Sequence, residues 1–321
     1  MDQIQALDAS TGQSIPEILM PTMKIFTPLL LKNKETILSI PRKEQSYGPH
    51  PRQKLDIYLP PIPSPNSPIL VYFYGGGLIR GDKILPMIPD GLLYHNLGTF
   101  FAKRGITTIV ADYRRVNSEF GGEDAVFPSG GDDVSLVMKW LEAFSHKGSG
   151  NLVIMGNSAG GVHLSTFLLG PQFLAQRKSL ASAEKGLKLV GGVEVGVPFH
   201  FKSAGAGRAE TLERYYGSAK AIEVKCAYGL LEAIGKGGMS REETGVPKLL
   251  LLLGEFDPED EIGQSMRDFA ELGEKTWGSG VEFRTIKGHN HISPPPALMS
   301  GDVEGEKWGE EVAAWIKGLN N

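Results

Sequence analysis

The chain has 321 residues, enough to bury about three quarters of the surface that its unfolded form would expose and so to support one large core. Its 33 basic and 37 acidic residues give a formal charge of -4 and are mixed along the sequence, which argues against nucleic acid as a partner. The single cysteine, Cys226, excludes an internal disulfide and a cysteine-based metal cage, and is expected as a small buried hydrophobe.

In chain order, Met1-Asp2-Gln3-Ile4-Gln5 lacks the basic start, apolar centre and small-residue cleavage site of a secretory signal. The apolar stretch from Thr27 to Leu31 is too short to span a bilayer, so a soluble, cytoplasmic protein without stable membrane insertion is expected. Within residues 1–46, Pro16, Pro21 and Pro28 are expected to interrupt any helical period and leave an arm or part of a lid. From Leu55-Asp56-Ile57-Tyr58-Leu59 onward, short apolar runs alternate with amphipathic stretches. Strands are predicted at 69–73, 106–111, 152–155, 187–195, 249–253 and 281–286. Helices are predicted at 91–103, 132–145, 159–169, 260–275 and 304–319. Several strands are apolar without alternation, as in a sheet covered on both faces, which predicts an α/β fold with a mostly parallel central sheet. Residues 47–321 therefore read as one domain. About fifty residues, 196–247, separate two of its strands, and this insertion carries Phe199, Phe201, Tyr215, Tyr216 and Tyr228, the profile of a functional lid.

The most specific local signal is Gly156-Asn157-Ser158-Ala159-Gly160, directly after the apolar run 152–155. A serine flanked by small residues at a strand-to-helix turn is the nucleophile of acyl-transfer chemistry, where the turn displays the hydroxyl. Serine needs a base, and seven histidines are available. His50, His95, His146 and His163 fall before the first strand or on helical faces and read as surface or packing residues. His289 and His291 follow the last predicted strand, where a loop at the carboxyl edge of a parallel sheet can reach Ser158. An orienting acid is expected at another strand end, and the 249–253 strand delivers Asp257 there, with Glu255 and Asp260 as alternatives. The glycines of Tyr74-Gly75-Gly76-Gly77 leave no side chain between their amides and a ligand. The N–H groups of Gly76, Gly77 and Ala159 are the candidate oxyanion hole.

Together these residues resemble the α/β-hydrolase superfamily, in the esterase/lipase branch that holds hormone-sensitive-lipase-like, feruloyl-esterase-like and kynurenine-formamidase-like enzymes. The similarity runs from about Tyr47 to Ile316. It includes Tyr47-Gly48, Leu55-Asp56-Ile57-Tyr58-Leu59-Pro60, the glycine loop followed by Arg80-Gly81-Asp82-Lys83, Asp112-Tyr113-Arg114, Phe127-Pro128 ahead of Asp133-Val134, and the segments holding Ser158, Asp257 and His291 in that order. The resemblance puts the base immediately before an apolar residue, which selects His291 and leaves His289 to brace the loop. It implies a Ser-His-Asp triad, an acyl-enzyme, no metal or organic cofactor, and structural roles for Asp112 and Arg114. Relatives usually carry His where this chain has Tyr74, so Tyr74 either braces the glycine loop differently or reaches toward substrate. The expected activity is hydrolysis of a small or medium, largely apolar carboxylic ester. Amide or thioester hydrolysis, as in arylformamidases, is the alternative. A ligand-binding protein that has lost its base is a third reading, against which the retained His289 and His291 argue. A small-molecule acyl compound is the expected partner, and sheet edges of this branch are compatible with a homodimer.

Overall fold

The computed structural model describes residues 1–62, 64, 67–144, 150–184 and 186–319; His146 lies outside them. Eight strands form one sheet: β1 (Lys43–Ser46), β2 (Lys54–Tyr58), β3 (Ile69–Phe73), β4 (Thr107–Ala111), β5 (Gly150–Asn157), β6 (Leu187–Val195), β7 (Lys248–Phe256) and β8 (Val281–Asn290). Their spatial order is β1-β2-β4-β3-β5-β6-β7-β8. The first two pairings are antiparallel and the remaining five parallel, giving the mostly parallel sheet that the apolar runs predict. Leu152 to Met155 are buried without alternation, as strands covered on both faces are. By contrast, β1 (Lys-Glu-Gln-Ser) is exposed throughout, so no hydrophobic pattern announces it. Because β3, β5, β6, β7 and β8 run parallel, their carboxyl ends share one edge, and that edge receives every candidate site residue.

The covering helices include α4 (Leu92–Ala102), α5 (Ser129–Phe144), α6 (Ala159–Leu169), α7 (Leu174–Ala181), α12 (Gln264–Trp277) and α13 (Val303–Gly318). Every residue of α6 is buried, which suits a helix that is apolar on all sides. The insertion 196–247 holds α8 (Ala206–Tyr216), α9 (Ala219–Lys225), α10 (Ala227–Lys236) and α11 (Arg241–Thr244). It shares the main core, with Leu212, Tyr215, Tyr216 and Leu231 buried there. Among the described residues, no helix is long and apolar enough to cross a membrane.

The first 46 residues depart from the sequence expectation. They form α1 (Asp2–Thr11), α2 (Ile15–Lys32) and α3 (Lys34–Leu38), and α2 continues through Pro21 and Pro28. Pro16 sits in the first turn, where its missing N–H costs nothing. The other two are seven residues apart and share one side of the helix, away from the deepest contacts. Their combined cost is roughly 6 kcal/mol, whereas burying Ile18, Met23, Phe26 and Leu30 on the inner face contributes roughly 6 to 12 kcal/mol. Packing therefore outweighs the local penalty.

Candidate active site

Ser158 stands between β5 and α6 with φ 51° and ψ -118°, a left-handed backbone that a non-glycine residue adopts only where its surroundings enforce it. The enforcement is visible. Ser158 N donates to Val195 O at 2.9 Å and Asn157 Nδ2 to the same carbonyl at 3.0 Å, tying the turn to the end of β6. A Cβ at Gly160 would stand 2.1 Å from the Phe73 carbonyl oxygen, so only glycine lets α6 start this close to β3. The sharp turn leaves Ser158 Oγ 2.9 Å from His291 Nε2.

On the other face of that ring, His291 Nδ1 lies 2.6 Å from Asp257 Oδ1. The second carboxylate oxygen of Asp257 accepts from Gly254 N at 2.6 Å, so the acid is oriented by its own turn after β7. All three side chains are buried. The structure thus brings together Ser158, His291 and Asp257, which lie up to 133 positions apart in sequence. Glu255 points elsewhere and accepts from Gly288 N at 2.7 Å. His289 is turned away, with Nδ1 2.9 Å from Ser293 Oγ, and burial lowers its pKa to about 4, so it stays neutral. His163 is likewise held neutral by burial, with a pKa lowered to about 3, and packs its ring on Tyr113 at 4.5 Å. His95 is buried and bonded to Ile40 O, and His50 takes the N–H of Arg52.

The glycine loop after β3 lies against Ser158: a Cβ at Gly75 would stand 3.1 Å from Ser158 Cβ. Among the described residues, the N–H groups of Gly76 and Gly77 donate to no protein acceptor, and Ala159 N heads α6, where amides lack helical partners. These donors are free to bind an anion beside the serine. Tyr74 braces the loop. Its ring stacks between Tyr94 and Tyr113, its hydroxyl donates to Asp112 Oδ1, and Arg52 Nη2 donates back to that hydroxyl at 2.8 Å. Tyr113 OH in turn donates to the Tyr74 carbonyl at 2.7 Å. Burial pushes the Asp112 carboxyl up to about 6 despite the nearby Arg52. Tyr74, fully buried, therefore holds the loop from beneath and does not face a ligand. Arg114 pairs with Asp133, a structural tie.

Sequence reasoning missed the supports. Asn290 Oδ1 accepts from Ile292 N and Ser293 N, both at 3.0 Å, and Asn290 Nδ2 donates to Thr22 Oγ1 on α2 at 2.9 Å. Residue type hints at the turn, since asparagine caps its own following amides, but no local pattern points to Thr22. A cleft of about 360 Å³ opens beside the acid turn, lined by Gln13, Ser14 and Ile15 of the arm, Ser203 and Gly205 of the insertion, and 258–261. Among the described residues, no group of three or more His, Cys, Asp or Glu is arranged to hold a metal ion.

A family model described as BD-FAE matches residues 55–179. A probable isoprenylcysteine alpha-carbonyl methylesterase of Arabidopsis thaliana is 28% identical over 137 residues, which cover 43% of this chain and 30% of that protein. The kynurenine formamidase of Danio rerio is 25% identical over 166 residues, covering 50% of this chain and 46% of that protein. The alignments thus span less than half the length of either relative. Among solved structures, a hyperthermophilic esterase from Pyrobaculum calidifontis superposes with a TM-score of 0.62 at 17% identity, covering 94% of this chain and 93% of that one. Esterase B from Lactobacillus rhamnosis superposes with a TM-score of 0.62 at 15% identity, covering 94% and 96%. At such identities the superpositions speak for the fold, which is that of α/β-hydrolase esterases, while the matched model and relatives show that the first half of the chain, from residue 55 onward, is similar to esterase and formamidase sequences.

Proposed function

We propose that the protein is a serine carboxylic-ester hydrolase acting on small or medium, largely apolar esters. One observation carries the reading: the continuous hydrogen-bonded line from Ser158 Oγ through the His291 ring to Asp257. In this reading His291 Nε2 takes the hydroxyl proton as Ser158 Oγ attacks the acyl carbon. Asp257 keeps the Nδ1–H tautomer in place and stabilises the imidazolium that forms. The N–H groups of Gly76, Gly77 and Ala159 receive the oxyanion, each worth roughly 3 kcal/mol to the transition state. His291 then protonates the leaving alcohol, and water enters by the reverse path to release the acid. The arm and the 196–247 insertion both line the cleft beside the acid turn, which supports their reading as a lid.

Ser158→Ala is expected to lower turnover of p-nitrophenyl acyl esters by about a millionfold, with the fold intact by circular dichroism. Parental turnover in that variant refutes the assignment. A second reading, cleavage of an N-formyl arylamide, draws on the match to the fish kynurenine formamidase. The same oxyanion chemistry serves both, so kcat/KM for p-nitrophenyl butyrate against an N-formyl arylamide decides between them.

A further inference from the structure

We propose that the arm helix α2 positions the catalytic base: Thr22, acting through Asn290, holds the turn that presents His291 to Ser158. The inference rests on the hydrolase reading above and assigns the arm a role other than covering the site.

The turn is built from its own bonds. Asn290 Oδ1 takes the amides of Ile292 and Ser293, Ser293 Oγ takes the amide of Asn290 at 3.0 Å, and His289 Nδ1 lies 2.9 Å from the same hydroxyl. Such a ring of local bonds fixes the shape of the turn and leaves its placement in the molecule to outside anchors. Downstream, Asn96 and Trp308 hold the carbonyls of Pro295 and Pro294. On the side of His291 itself, the Asn290 backbone ends β8 in register with Phe256 of β7, and its side chain is anchored by Thr22. With Oδ1 committed to two backbone N–H donors, Asn290 must present its Nδ2 to Thr22, which accepts at 2.9 Å. Thr22 and Asn290 are both buried, so no water substitutes for the hydroxyl.

A second, apolar contact joins the same elements. Ile4 of α1 and Phe26 of α2 form a small core with Ala297, and Phe256, the residue before Asp257, packs against it. Thr22 and Phe26 are one helical turn apart, so one face of α2 underlies both the base turn and the acid turn. Displacing a base by about 1 Å can cost about a hundredfold in rate, which makes this anchorage kinetically visible.

Thr22→Val keeps the shape of the side chain and removes the acceptor; Thr22→Ser keeps the acceptor. The expected result is a kcat, per active site titrated with a fluorophosphonate, about tenfold lower in Thr22→Val with KM within about twofold, and recovery to within about twofold in Thr22→Ser. On an Asn290→Ala background, Thr22→Val should add less than about a twofold change, since the pair acts as a unit. Amide exchange at Ile292 and Ser293, faster in Thr22→Val, reads the same anchorage without turnover. Parental kcat together with parental exchange in Thr22→Val overturns the inference. A parental protein that neither reacts with the fluorophosphonate nor hydrolyses any ester overturns the hydrolase reading instead, and the exchange rates still decide the anchorage.

Discussion

Glu194 offers a sharp test of how this core treats charge. It sits on β6 beneath α6 and is 1% exposed; Oε1 accepts from Ser165 Oγ at 2.8 Å, and Oε2 has no partner among the described residues. Burial pushes its pKa well above the ordinary 4.5, with the single Ser165 bond opposing, so the folded protein holds this proton into a pH range where the unfolded chain has lost it. Above pH 4.5 the folded state binds one proton more than the unfolded chain. The contribution of Glu194 to stability is therefore full below pH 4.5 and falls by about 1.4 kcal/mol per pH unit until the folded-state pKa is reached. Glu194→Gln removes that slope. Its amide places two N–H donors where one O–H stood, a cost of about 1 to 3 kcal/mol that is the same at every pH. Between pH 5 and pH 8 the stability difference between the variant and the parent should thus shift in favour of the variant, by about 1.4 kcal/mol for each pH unit below the folded-state pKa. Urea unfolding of both proteins at each pH measures it, because the titrations of all other groups cancel in the difference. Parallel stability curves across that range would refute the assignment of a neutral Glu194.

Two further outcomes are expected. Arg177→Met should cost about 3 to 5 kcal/mol in urea unfolding, because the buried guanidinium donates to the carbonyls of Phe167, Gly170 and Thr244, and its loss leaves those of Phe167 and Thr244 unpaired and that of Gly170 with the Phe173 N–H alone. Asp257→Asn should lower kcat by about ten-thousandfold with little change in KM, since it loses the carboxylate that holds the imidazole tautomer; a loss below tenfold in steady-state ester kinetics would argue for another acid.

Where burial on both faces makes a strand uniformly apolar, as in 69–73, its sequence range and its observed range coincide. Where neither face is buried, as in Lys43–Ser46, the strand exists through pairing to β2 alone and leaves no pattern to read. Helix α2 was illegible for the opposite reason: Pro21 and Pro28 carry a strong local signal that tertiary packing overrides. In the site, Ser158 is announced by the glycines its turn needs. His291 was separable from His289 only through resemblance, because both follow the same strand, and the structure distinguishes them by direction. The partnership of Thr22 with Asn290 has no local cause at all. It arises where two distant segments happen to pack, and an isolated threonine in a helical stretch carries no trace of it.

That partnership also bears on the order in which a growing chain becomes competent. Thr22 and Asn290 are 268 positions apart, so the arm leaves the ribosome long before the segment it supports has been made. Ser158 and its elbow can be in place while the imidazole is still unsynthesised, and contacts of such separation are the slowest to close. On the proposed mechanism, the hydroxyl of a partly synthesised molecule would stay inert toward acyl compounds, and reactivity would arrive in a single late step, when helices α1 and α2 receive β8.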